Sequence, residues 1–393
     1  MPRALYLLAL AVFAMGTSEF MLAGLVPDIA AGLDVTVGTA GMLTSAFAVG
    51  MVVGAPTMAA LSRRWPPRPV LVGCVLVFTF SHVAGAITPT FAVLFGARVI
   101  AALANAGFLA VALSTATGLV APDQKGRALA ILLSGTTIAT VAGVPAGALL
   151  GTALGWRATF WAIALLCVPA ALGIVRGIPR RAERTSPDVG AEPSLRSELA
   201  QLASPRALVV MLLAALVNAG TFAVFTFLAP IVTGTAGLSQ WWVPPALVLF
   251  GVGSFIGVTT AGRLSDQRPG ATIAVGGPLL LLGWAALALL AEHPVALLGP
   301  VFSQGALAFA VGSTLIALVL YAAAGAPTMG GSYATAALNI GATVGPALGA
   351  SALTTAAGNQ GPVWVAVVLT AIALAMALLV IRTIVARSPE VAG

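Results

Sequence analysis

The chain alternates between apolar runs of near-membrane length and short segments that collect its charges, prolines and glycines. A hydrocarbon layer ~30 Å thick takes about 20 helical residues to cross. Strict two-residue alternation of apolar and polar positions is absent, so helices rather than barrel strands are expected. Cutting at charge, proline and glycine predicts spans near 4–26, 39–61, 70–88, 91–119, 128–152, 157–176, 207–233, 242–262, 271–291, 294–324, 332–356 and 362–385. The expected fold is therefore an all-α membrane protein with twelve transmembrane helices. The cut between the ninth and tenth rests only on Glu292-His293-Pro294. The start, Met1-Pro2-Arg3 before an apolar run, imitates a signal peptide, but the run outlasts such a core and is expected to be an uncleaved first span.

Composition agrees. Apolar residues make up 60% of the chain and charged residues 7%, with a mean hydropathy of +1.06. Soluble domains carry about 25% charged residues, so these residues cannot cover a water-facing surface. The net charge of +7 does not point to nucleic acid, because the basic residues sit in short loops rather than on a folded face. Placing both termini in the cytoplasm puts 16 of the 18 Lys and Arg on the inner side, leaving Arg157 outside and Arg98 within the fourth span. Residues 177–206 are the one long polar stretch. They read as a cytoplasmic linker with a short amphipathic helix at Ser194–Leu202, dividing two six-helix bundles, 1–176 and 207–393. The halves look related: Leu61-Ser62-Arg63-Arg64-Trp65-Pro66 parallels Leu264-Ser265-Asp266-Gln267-Arg268-Pro269, and Gly143-Val144-Pro145 parallels Gly345-Pro346. A duplicated fold of this kind places its substrate site between the halves, near mid-membrane.

The chemistry centres on Glu19, a carboxylate within the otherwise uncharged run Leu5–Val26. An ion at that depth costs roughly 2.5–3.5 kcal/mol. Such a residue either faces a wet cavity on a proton or substrate path, or is a neutral, hydrogen-bonded structural group. Arg98 does not deprotonate readily and needs a partner inside the membrane, either Glu19 or local carbonyls. Asn105 lies seven residues on, along the same helix face. Met15, Glu19 and Leu22 form one stripe and Asn218, Phe222 and Phe225 another. With Gln304, Tyr333 and Asn339 they are candidate substrate-lining groups, since apolar walls with a few polar anchors suit an amphipathic ligand. The same spacing also serves packing. His82 reads as a hydrogen-bonded packing residue, and Cys74 and Cys167 as packing residues inside spans. Asp28, after Pro27, is either a second proton site or a solvated helix cap; Asp34 falls in the same outer region. With His82 and His293 the only histidines, no metal-ligand or nucleophile–base cluster suggests an enzyme.

Several stretches carry a family resemblance: Gly16-Thr17-Ser18-Glu19-Phe20-Met21-Leu22-Ala23-Gly24-Leu25-Val26-Pro27-Asp28, Leu103-Ala104-Asn105-Ala106-Gly107-Phe108, Gly155-Trp156-Arg157-Ala158-Thr159-Phe160-Trp161, and Ser332-Tyr333-Ala334-Thr335-Ala336-Ala337-Leu338-Asn339. The chain resembles the twelve-span drug:proton antiporters of the major facilitator superfamily, and within them the chloramphenicol-resistance efflux branch. Arg98 resembles the family's buried span-four arginine. Gly143 and Pro145 resemble its antiporter Gly-Pro motif, with close helix approach at glycine and a kink at proline. Gly262, Arg263, Asp266 and Arg268 match the signature loop, which acts either as a conformational latch or as positive-inside anchoring. The amino-half copy departs from it, with Ala59 and Arg63 in place of Gly and Asp. The resemblance implies a functional monomer in the bacterial inner membrane that exports a small amphipathic drug, chloramphenicol first, against protons. Glu19 and Arg98 would carry the coupling, with no cofactor beyond the proton, no metal and no nucleic acid. Export of a sugar or other metabolite is the same-fold alternative; a non-transporting membrane sensor is the alternative of another class.

Overall fold

The computed structural model describes residues 2–61, 65–121, 124–178, 195–200, 204–267, 269–326 and 329–385. These are predominantly helical, with no strand among the described residues. In chain order the helices are α1 (Arg3–Phe20), α2 (Val26–Leu33), α3 (Val37–Leu61), α4 (Pro67–Ile87), α5 (Phe91–Gly118), α6 (Lys125–Ile138), α7 (Val144–Leu154), α8 (Trp156–Gly177), α9 (Leu195–Ala200), α10 (Pro205–Thr226), α11 (Leu228–Pro230), α12 (Val243–Gln267), α13 (Pro269–Leu290), α14 (Leu298–Ala322), α15 (Gly330–Ala352) and α16 (Gly361–Val385).

Eleven of the resulting segments are long and apolar enough to cross a membrane. A further helix, α15, has 23 residues but carries Ser332, Tyr333, Thr335, Asn339 and Thr343, which lower its hydropathy. It tolerates them because it packs between α3 and α10, leaving Ile340, Val344 and Leu348 on its exposed face. The lipid-facing character of the remainder shows in its bare surface side chains: Phe80, Leu282, Leu289 and Leu379 are all largely exposed.

Proline punctuates the helices as its chemistry requires. Pro27, Pro67 and Pro205 stand in first turns, where the missing N–H has no intrahelical partner to lose. Between α6 and α7 the chain passes through a π-helical turn, Ala139–Gly143, just before Pro145. Pro145 cannot complete a normal i→i−4 bond, and the widened turn absorbs the break. The predicted first span is likewise interrupted. The helix tightens into a 3₁₀ turn at Met21–Gly24 and resumes as α2, which ends at Asp34 in a left-handed conformation (φ 53°).

Buried apolar side chains form two principal clusters. One is built almost wholly from residues before Ile178, the other mainly from residues after Val210. Gly253 and Gly257 of α12 and Gly305 of α14 bring those two helices so close that an added Cβ would strike the opposing backbone. The two groups meet along a seam. Ser45 of α3 donates to the Thr343 carbonyl of α15 at 2.7 Å, and Phe227 reaches out of the second group into the first core. Gly24 sits against Ala148 and Leu247, and the Met21–Gly24 turn packs on α11. Ala4 lies against Gly177, so the start of α1 and the end of α8 share one end of the bundle, here termed the base. The Gly24 contacts lie toward the opposite, far end.

Candidate proton and substrate site

Glu19 occupies the last turn of α1, just before the helix tightens, and is the only acidic residue within the eleven spans. It is half-buried, whereas its neighbours Ser18 and Met21 are fully enclosed. Asn105 of α5 directs its amide at Glu19 Oε2 (3.5 Å) and at Met51 Sδ (3.6 Å).

Arg98, one of the largest fully buried side chains, lies within electrostatic reach of Glu19 but makes its hydrogen bond elsewhere. Its Nη1 donates to Ser18 Oγ at 2.8 Å, and Cζ stands 4.4 Å over the Phe47 ring, a cation–π contact. Nε and Nη2 have no hydrogen-bond partner. Ser18 Oγ in turn lies 2.7 Å from His82 Nε2, and His82 Nδ1 lies 2.8 Å from the Phe78 carbonyl. One neutral tautomer satisfies every link: Nδ1–H donates to Phe78, while Nε2 accepts from the Ser18 hydroxyl. The hydrogen-bond partner of Arg98 is thus Ser18, backed by His82, and neither the Glu19 carboxylate nor the local carbonyls weighed from sequence.

Beside Glu19, Phe20 turns across the seam to Phe222 (centroids 5.9 Å apart) and Phe225 (6.2 Å) of α10. Phe225 continues to Phe250 of α12 at 4.9 Å, and Phe250 to Phe309 of α14 at 6.1 Å. These rings, with Thr140, Thr221, Gly251 and Ser254, line a narrow crevice between the groups that is nearly closed, with a cavity volume of about 10 Å³. Aromatic walls edged by hydroxyls suit an uncharged amphipathic ligand, once the crevice widens.

The other predicted lining residues are dispersed. Met15 and Leu22 are enclosed in the first core. Asn218 donates to the Leu338 carbonyl (2.7 Å), tying α10 to α15, and Asn339 donates to Thr335 within α15 (2.9 Å). Gln304 is fully enclosed and donates to the Leu280 carbonyl (2.9 Å), a staple between α14 and α13. The Tyr333 hydroxyl donates to the backbone of Glu198 in α9 (2.8 Å), while Glu198 Oε2 accepts the Met329 N–H at the start of α15 (2.8 Å). Gly143 lets the widened turn approach Thr17 and Phe13 of α1 closely, and Pro145 is buried beside it. Arg268 and the side chains of Gly262, Arg263 and Asp266 lie outside the described residues. Cys74 and Cys167 are buried free thiols, and no group of three His, Cys, Asp or Glu could hold a metal among the described residues.

Sequence reasoning passed over Ser18, Phe20, Phe47, Phe250 and Glu198. Ser18 and Phe20 flank Glu19, which was a usable signal. Phe47 and Phe250 carry none, because one aromatic in an apolar helix resembles any other.

Residues 8–336 match the family described as the Major Facilitator Superfamily. The chain belongs to that superfamily. It is 66% identical over 377 residues to a chloramphenicol resistance protein of Streptomyces lividans, covering 96% of each chain. It is 32% identical over 383 residues to the inner membrane transport protein YdhP of Escherichia coli K12, covering 98% of this chain and 96% of that one. In fold it resembles a bacterial homologue of the human lysosomal transporter Spinster, solved inward-facing and unoccupied, with a TM-score of 0.76 at 19% identity over 97% of this chain and 96% of the other. As a major facilitator, the protein is a multispan membrane transporter and not an enzyme.

Proposed function

We propose that this major facilitator exports chloramphenicol or a closely related phenicol in exchange for protons, by alternating access. The observation that carries this reading is the placement of Glu19. It is a half-buried carboxylate of the first group, approached by Asn105 and next in the chain to Phe20 of the aromatic crevice. The 66% identity to a relative named for chloramphenicol resistance supports the choice of drug.

In this reading α15 brings the spans to twelve, as the eleventh in chain order, since 23 residues at 1.5 Å each reach about 34 Å. Two six-helix bundles, 1–176 and 207–393, are joined by the linker 177–206, in keeping with the two buried clusters. Both termini and the base are cytoplasmic, as the Lys and Arg distribution favours.

Burial disfavours a charged carboxylate, so Glu19 takes a proton when the far end is open to the outside. Reorientation then presents it to the cytoplasm, where proton release and drug entry are coupled, with Arg98 as the electrostatic partner. Phe222, Phe225 and Phe20 form the walls of the drug site. Asn105 approaches Glu19 and Asn218 braces α10 from α15, whereas Met15, Leu22, Gln304, Tyr333 and Asn339 are enclosed or bonded away from the crevice. The Gly143–Pro145 segment and the loop containing Gly262, Arg263, Asp266 and Arg268 serve the conformational change. One chain suffices, with the proton as coupling ion and no cofactor. A proton moving through ~100 mV contributes about 2.3 kcal/mol and one pH unit about 1.36 kcal/mol. Together they sustain a drug gradient of several-hundred-fold at about 1.4 kcal/mol per factor of ten.

The test is transport of labelled chloramphenicol in proteoliposomes under an imposed pH gradient. The native protein concentrates the drug, whereas Glu19→Gln retains at most exchange without uphill movement. Uphill transport by Glu19→Gln rejects the role of Glu19, and absence of any chloramphenicol flux in the native protein rejects the substrate.

A further inference from the structure

Arg98 is not paired with the carboxylate it would serve. It is 1% exposed, donates from Nη1 to Ser18, and keeps two guanidinium nitrogens without partners. A buried cation in that position is costly, so whatever holds it there must be a good acceptor. Ser18 qualifies because its own proton goes to His82 Nε2 (2.7 Å), and His82 is committed as acceptor because its Nδ1–H is engaged by Phe78 (2.8 Å). Linked hydrogen bonds of this kind polarise and strengthen one another. The imidazole is buried beside two aromatic rings. It lies 4.2 Å from the Phe78 ring and 5.8 Å from that of Phe160.

We propose that Ser18 and His82 form a berth for Arg98 that competes with the Glu19 carboxylate. The inference rests on the proton-coupling reading above. When Glu19 carries a proton, the guanidinium stays on Ser18. When Glu19 ionises, the same guanidinium turns toward it and brings the unpartnered Nε and Nη2 into an ion pair. Ser18 and His82 are then positioning residues: they set how tightly the site holds its proton without touching the drug. The berth draws on several elements. The charged or titratable groups around it are Glu19 from α1, Arg98 from α5, His82 of α4, and Cys167 of α8, whose thiol engages Thr79 one turn before His82. From α3 comes the Phe47 ring under Arg98.

The experiment is equilibrium binding of radiolabelled chloramphenicol to the purified full-length protein between pH 5 and pH 9. Protons compete with drug, so binding rises with pH about a midpoint. Removing the berth frees Arg98 for Glu19 and weakens proton binding by the worth of one charge-assisted hydrogen bond. Ser18→Ala and His82→Phe should each move the midpoint down by about one pH unit, roughly tenfold in proton affinity. High-pH drug affinity should remain within about twofold, and His82→Gln, which restores an acceptor, should recover the native midpoint. A merely structural role would lower stability or affinity without moving the midpoint. An unmoved midpoint in folded Ser18→Ala, which deletes a single oxygen, overturns the proposal even where His82→Phe fails to fold. A native midpoint retained by Glu19→Gln would reject the underlying proton-site reading instead.

Discussion

Gly251 offers a direct test that the seam opens and closes. It stands on α12 facing the Ala139–Gly143 turn, and a Cβ at this position would lie 2.6 Å from the Thr140 carbonyl oxygen and 3.1 Å from Val141 Cα. Ordinary contact begins near 3.4 Å, so Gly251→Ala requires the two elements to part by 3.4 − 2.6 = 0.8 Å. The obstacle is backbone, which cannot rotate aside, and overpacking of this kind costs about 1–3 kcal/mol. Because the contact joins the two groups, a conformation that separates them escapes the cost. A bias of about 2 kcal/mol then shifts the equilibrium about 30-fold toward that conformation. Gly257→Ala is the control: its Cβ would strike the Ala306 carbonyl inside the second group, where no rearrangement of the groups gives relief. The assay is pulsed electron–electron distance measurement between labels at Leu154 and Trp241, both exposed near the far end, in a background without Cys74 and Cys167. Gly251→Ala should gain a long-distance population with little loss of thermal stability. Gly257→Ala should keep the short distance and melt earlier. If Gly251→Ala retains a single short distance and melts as early as Gly257→Ala, the seam is a fixed core that does not open.

Two further outcomes follow from contacts outside the drug path. Glu198→Ala removes the carboxylate that caps α15 at Met329, a contact worth about 0.5–2 kcal/mol in comparable caps. Amide exchange at 329–333 should accelerate, less so in Tyr333→Phe, and unchanged exchange would deny the linker helix a hold on α15. Asp28, beyond the first span, has its carboxyl raised above 3.8 by burial. The folded chain therefore holds this proton more tightly than the unfolded one, and stability declines as pH rises from below 3.8 through the raised value. Asp28→Asn should melt at a higher temperature than the native protein near pH 7 and at the same temperature near pH 3; equal melting at both would show the carboxylate to be well solvated.

The helices were largely legible in the chain because each one satisfies its own backbone, so length and apolarity suffice to mark it. The expected linker helix at 194–202 appears as α9, Leu195–Ala200, and the break at Pro145 appears as the widened turn before it. Glu19 was equally legible, since a lone carboxylate in a 22-residue apolar segment is costly enough to stand out from its neighbours. The first span was less so: no residue in Glu19-Phe20-Met21-Leu22 announces the tightening at Met21, which comes from packing against α11 and α7. Partners were not legible at all. Ser18 meets His82 across 64 positions and Arg98 across 80, and Tyr333 meets Glu198 across 135. Gln304 and Asn105 are both amides on apolar helices, yet one staples two helices and the other reaches the carboxylate. Helical periodicity states which way a side chain points on its own helix. Which helix stands opposite, and at what height, depends on how all the spans pack together, and only the tertiary structure decides it.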